Sequence, residues 1–200
     1  MKKSILVLSL VIIVVGVSFA GITLNASEVD SVLFMVEEEK LARDVYLTLY
    51  DKWGLITFSN IARSEQRHVD AVKYIIEKYG LEDPTIDEIG VFKNEELQAL
   101  YTQLVETGSK SLVDAIKIGL LIEELDIKDL KERIEATDNG DIITVFNLLM
   151  DGSENHFRAF YSLLQRFSTE DYTPQYITIE EMQEILSGTN ERGGMGYRPF

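Results

Sequence analysis

The sequence predicts an all-α fold: a four-helix bundle with a long crossover that carries a short helix, followed by a short C-terminal helix. Three observations predict it. Apolar residues recur every three or four positions over four long stretches, as they do on a helix with one buried face. Only three prolines and 13 glycines punctuate the 200 residues, and most fall between those stretches. No strand-rich region appears. An apolar fraction of 46% gives the chain a core, and its length suits one domain.

The first long helix is read over residues 27–56, with Met35, Glu39, Ala42, Tyr46, Leu49 and Trp53 on one face and Gly54 as its stop. A second runs from about Thr57 to Tyr79. Its face carries Phe58, Ile61, Glu65, His68, Val72, Ile75 and Tyr79, and Gly80 ends it. In the crossover, Asp83-Pro84 and Gly90 break the periodicity, and Asn94 caps a short helix reaching Val105. The third long helix starts at Ser111, with Asp114 three residues on, and aligns Leu112, Ile116, Leu120, Glu123, Ile127, Leu130 and Ile134. After a tight loop from Thr137 to Gly140, the fourth runs from about Asp141 to Phe167. It aligns Ile142, Phe146, Leu149, Ser153, His156, Phe160 and Leu163. Short loops make the first and second long helices antiparallel, and the third and fourth likewise. The crossover lets the third run parallel to the second. The bundle is thus expected over residues 27–168. Residues 169–188 form a C-terminal extended segment around Pro174 and a short helix with a Thr178/Glu181 capping box. Residues 189–200 form a Gly-rich tail expected to be disordered.

Residues 1–26 read as an export signal or N-terminal membrane anchor. Lys2 and Lys3 precede an apolar run from Ile5 to Val17, and Ser18-Phe19-Ala20 offers small residues for cleavage. Export places the domain outside the cytoplasmic membrane, secreted or anchored. Loss of the two lysines would take the formal charge from −15 to −17. That acidity excludes a nucleic-acid binder, which needs a basic footprint. The absence of cysteine excludes disulfides, thiolate nucleophiles, iron–sulfur clusters, Cys-ligated zinc and lipoprotein attachment.

Each apolar stripe is broken by an acid or a histidine near mid-helix: Glu39, then Glu65 with His68, then Glu123, then His156. Buried carboxylates are costly unless paired or metal-bound. Glu65 and His68 are three apart and share one side of their helix. Carboxylate oxygens with imidazole nitrogens in a bundle core suit iron, with manganese as the alternative. One Glu from each of two helices plus Glu-x-x-His from the others is the pattern of di-metal carboxylate bundles. The acidic run Glu37-Glu38-Glu39 is of a kind usually solvated, and the stripe selects Glu39 over Glu38. Glu124 competes with Glu123 for a small rotation of the helix. Tyr46 and Trp53 read as core packing, with a redox role for Tyr46 as the alternative.

The run from Glu39 to Tyr46, EKLARDVY, resembles the rubrerythrin first-helix pattern, and Ala62 to His68, ARSEQRH, resembles that family's second-helix Glu-x-x-His. The residues around Leu33-Phe34-Met35, Trp53-Gly54-Leu55 and Ile122 to Asp126 resemble a prokaryotic ferritin-like family labelled a domain of unknown function. Together these motifs span residues 30–186. The resemblance implies a ferritin-like bundle with a non-haem di-iron site, Glu65 bridging, Glu39 and His68 completing one metal, and Glu123 and His156 binding the other. It also implies a Glu three residues before His156, where this chain has Ser153. The missing fourth carboxylate would be met by hydroxide, by Asp126 or by Glu154. Glu38 is a further candidate ligand, and a single metal is the alternative. The expected partners are metal ions and oxygen or peroxide, with a homodimer as a further candidate. The expected chemistry is oxidation of iron(II) or a small substrate. The competing expectation is a non-enzymatic helical interaction or structural module. Without cysteine the chain lacks the thiolate-held iron through which full rubrerythrins pass electrons.

Overall fold

The computed structural model describes residues 23–188, so the expected signal or anchor lies almost wholly, and the expected tail wholly, outside the described residues. The described chain is all-helical, with six helices: α1 (Ala26–Trp53), α2 (Ile56–Lys78), α3 (Glu95–Gly108), α4 (Leu112–Glu135), α5 (Gly140–Phe167) and α6 (Ile179–Ser187). Among the described residues there is no strand, and no helix is long and apolar enough to cross a membrane.

The helix ends follow from local chemistry. Asn25 and Glu28 form a capping box at the start of α1, one residue earlier than the apolar stripe suggests. Gly54 ends α1 with φ +65°, a conformation that costs glycine little. The side chains of Asn94, Ser111, Asn139 and Thr178 cap α3, α4, α5 and α6 by accepting from backbone N–H groups of the first turn. Asn139 draws the start of α5 back to Gly140.

Side-chain contacts set the directions of the four long helices. Arg133 near the end of α4 donates to Ser31 near the start of α1 at 3.2 Å, and Tyr46 far along α1 donates to the carbonyl of Gly119 near the start of α4 at 3.4 Å. Those two helices are therefore antiparallel. Lys78 at the end of α2 pairs with Asp141 at the start of α5 at 2.6 Å, while Phe58 at the start of α2 packs on Phe160 far along α5. With α1 and α2 forming a tight antiparallel hairpin, α2 and α4 run the same way, as the length of the crossover suggested.

The core falls into two apolar groups. One holds Val45, Tyr46, Leu49, Phe58, Ile116, Leu120, Phe157 and Phe160. The other holds Val32, Met35, Val69, Val72, Ile75, Leu130, Phe146 and Leu149. In chain order, the buried Glu39, Glu65, His68, Ser153 and His156 fall between the members of the two groups on α1, α2 and α5, and Glu123 and Asp126 lie on α4 between Leu120 of the first and Leu130 of the second. A polar layer thus crosses the middle of the molecule.

The other segments brace this frame. In the crossover, the buried Lys40 donates to the carbonyls of Glu88 at 3.0 Å and Val91 at 3.1 Å and pairs with Asp44 at 2.6 Å. Asp44 in turn accepts from the Gly90 N–H at 2.9 Å. After α5, the Glu124 carboxylate accepts from the N–H groups of Gln175 at 2.6 Å and Tyr176 at 2.8 Å and from the Tyr172 hydroxyl. The expected extended segment is held down in this way.

Candidate metal centre

Glu39 on α1, Glu65 and His68 on α2, Glu123 on α4 and His156 on α5 are all buried and meet in the polar layer. The i, i+3 spacing puts Glu65 and His68 side by side, with His68 Nδ1 2.8 Å from Glu65 Oε2. The same nitrogen lies 3.1 Å from Glu39 Oε2. His156 Nδ1 lies 2.7 Å from Glu65 Oε1 and 3.5 Å from Glu123 Oε2. The two imidazole rings stack at a centroid distance of 5.5 Å and an angle of 27°.

These side chains make two groups, Glu39–Glu65–His68 and Glu65–Glu123–His156. In each, one ligand atom per residue lies within 4.8 Å of the others. Glu65 belongs to both, one oxygen toward each histidine. The short contacts between Glu65 and the histidines are not aligned hydrogen bonds. Both Glu65 oxygens, Glu39 Oε1 and His156 Nδ1 are buried without a hydrogen-bond partner. Buried polar atoms are rarely left so. Carboxylate oxygens and imidazole nitrogens converging in a buried layer suit a divalent cation of the iron or manganese type.

The electrostatics describe the metal-free state. Burial pushes the Glu39 carboxyl up to about 7, against the pull of His68. Burial likewise pushes Glu123 up to about 7, against the pull of His156. Burial would raise Glu65 too, but the two imidazoles on either side outweigh it and hold this carboxyl far below the usual range. Burial opposes protonation of the histidines, yet the facing carboxylates hold His68 well above its ordinary value and His156 at about 10. Imidazolium protons thus supply the positive charge within the layer.

The remaining candidates are placed differently. Ser153, fully buried, donates to the Asp126 carboxylate and to the Leu149 carbonyl at 3.1 Å. Asp126 keeps its other oxygen buried and unpartnered. Burial, then the nearby Glu39, Glu38 and Glu123, push its carboxyl well above the usual range. Asp126 is therefore the acid that adjoins the layer at the Ser153 position. Glu154 turns instead to Arg158, 3.4 Å away on the next turn. Glu38 is buried toward Asp129 and Arg133, and Glu124 holds the C-terminal segment, which leaves Glu123 as the α4 acid of the layer. Trp53, half-buried, packs against the core and donates to the Gly108 carbonyl at 2.9 Å.

Tyr46 has more to do than pack. It is fully buried and donates to Glu123 Oε1 at 2.5 Å, which fixes that carboxylate from the side opposite His156. Its place four residues before Tyr50 says nothing of this. The only sequence signal is that it lies two turns beyond Glu39 on the same stripe.

Residues 28–189 match the family described as an uncharacterized protein domain, DUF2202. The chain, all-helical over its described residues and with a buried carboxylate and histidine layer, belongs to that family. A particular relative is the uncharacterized protein MJ0754 of Methanocaldococcus jannaschii, 55% identical over 171 residues that cover 85% of this chain and 92% of the relative. The crystal structure of hypothetical protein MJ0754 superposes with a TM-score of 0.82 at 54% identity, covering 84% of this chain and 96% of that one.

Proposed function

We propose that the four long helices form a ferritin-like bundle whose polar layer holds two metal ions, in the first place iron, and that the protein oxidises iron(II) or a small substrate with oxygen or peroxide. The observation that carries this reading is Glu65. Its two buried, unpartnered oxygens face two separate groups of metal-ligand type. In this reading Glu39, Glu65 and His68 hold one ion, and Glu65, Glu123 and His156 hold the other. Bound iron would supply one-electron redox steps to this cysteine-free chain.

The protein's own part is to bind, orient and exclude. Tyr46 orients Glu123 through its hydrogen bond, and the apolar groups on either side keep bulk water from the layer. His68 and His156 must give up their protons when an ion enters, and the stacked rings leave them little freedom to turn. Export belongs to the proposal as well, supported by the basic and apolar start of the chain.

Ser153 favours a second reading, a non-enzymatic helical module with a single-metal or vestigial site, because a serine stands where a fourth carboxylate would balance two divalent cations. Metal analysis of protein purified without chelator separates the two. Roughly two irons or manganese ions per chain supports the first reading; one ion, or none after incubation with iron(II), supports the second.

A further inference from the structure

We propose that Gly152 is a positioning residue of this centre: it leaves the gap on α5 into which the outer edge of the His68 ring fits, and so lets His68 present Nδ1 to Glu39 and Glu65. The inference rests on the metal reading above. It concerns a residue that neither the ligand pattern nor the apolar stripe marks out. Gly152 lies inside α5, twelve residues from its start, where glycine weakens a helix. Its backbone has no positive φ that would demand a glycine.

What the position demands is space. A Cβ at residue 152 would lie 2.4 Å from His68 Nε2 and 2.5 Å from Cε1, and no backbone atom is among its nearest neighbours. Ordinary contact begins at 3.4 Å, so the ring edge would have to retreat by about 1 Å. The imidazole is rigid, and Nε2 and Nδ1 flank the same carbon, Cε1, which the added methyl would also strike. Moving one edge moves the other. His68 cannot escape sideways, because its other face stacks on His156, and it cannot keep 2.8 Å and 3.1 Å contacts to Glu65 and Glu39 while yielding to a methyl group. The effect is local to one of the two groups. His156 Nδ1 meets Glu65 and Glu123 from α5 itself, one turn beyond, and does not touch residue 152's missing side chain.

The test uses the full chain and cobalt(II) as a spectroscopic probe of nitrogen and oxygen ligation. Gly152→Ala should weaken binding at the Glu39–Glu65–His68 group at least tenfold and change the visible bands of that ion, while the second ion still binds. His68→Ala should do the same. In the His68→Ala background, adding Gly152→Ala should cost no further affinity, and should raise the thermal midpoint of the metal-free protein because alanine is the better helix former. Cobalt binding by Gly152→Ala equal to wild type overturns the inference. So does a Gly152→Ala loss of equal size with and without His68, which would mark a general packing role. Should Gly152→Ala alone fail to fold, the double variant still decides, since it lacks the ring that the methyl would strike. A wild-type chain that binds no cobalt refutes the metal reading itself, a different result from either.

Discussion

Glu37, Glu38 and Glu39 occupy consecutive positions on α1 and meet three different surroundings. Successive helical residues point about 100° apart, and α1 is buried on nearly every side. Glu37 accepts from the Lys93 N–H at 3.1 Å and helps hold the crossover. Glu38 faces Asp129 and Arg133. Glu39 enters the polar layer. The run is therefore not the solvated acidic surface that such runs usually are, and only the position of Glu39 on the stripe was legible in the sequence. Glu39→Gln should remove one of two bound ions, whereas Glu38→Gln should leave both, as read by metal analysis. Ser153 gives a second expectation at this scale. Ser153→Glu would place a fresh carboxylate beside Asp126, whose free oxygen is already buried without a partner. The metal-free variant should melt lower than wild type, and it should bind iron(II) more tightly than wild type does. A variant with unchanged melting and unchanged titration would mean that residue 153 does not face the metals.

At the scale of elements, the helices were legible from local signals: an apolar period, a capping side chain at the start of every helix but α2, and a glycine at the end of α1 and of α6. What holds the connecting segments was not legible, since nothing local marks a partner 48 residues away. Lys40 is such a case, a lysine almost wholly buried to hold Glu88 and Val91. Removing one member of the Lys40–Asp44 pair strands a buried charge. Asp44→Ala should therefore cost about 3–5 kcal/mol in urea unfolding, and Lys40→Met with Asp44→Leu should recover much of it. The last helix gives a pH dependence. Lys131, then the Thr178 backbone, hold the Glu181 carboxyl down at about 2 from an ordinary 4.5. A carboxyl lowered by folding stabilises the folded form above its unfolded value, and that gain is lost as the pH falls from 4.5 toward 2. Amide exchange in α6 should accelerate over that window, and Glu181→Gln should abolish the pH dependence. The pair is mostly exposed, so the effect should stay local to α6.

For the whole molecule, a polar layer between two apolar groups is a liability without cations and an asset with them. Two buried imidazolium ions and the acids around them balance only in part, and Asp126 stays unfavourably buried. The metal-free protein should fold but melt lower, and iron(II) or manganese(II) should raise the midpoint, because the ions bind only the assembled layer. In the metal-free state burial opposes the protons on the two rings, but the facing carboxylates raise His68 well above its ordinary value and hold His156 at about 10. Metal must displace those protons, so uptake should release protons at pH 7 and affinity should rise with pH. Calorimetry in buffers of different ionisation enthalpy measures the number released. The sequence made the carboxylates and histidines of the layer legible as breaks in four stripes. It left Tyr46 and Gly152 illegible, since one looks like core and the other like a weak point in a helix until the chain is folded.

Glu65 gives the most direct test, since it alone belongs to both groups. Glu65→Gln preserves the volume of the side chain and removes its charge. Metal content per chain, measured on the folded variant after incubation with iron(II), should fall from roughly two ions to none, because both positions lose a shared ligand. A variant that keeps one tightly held ion, or the same content as wild type, would contradict a centre bridged by Glu65.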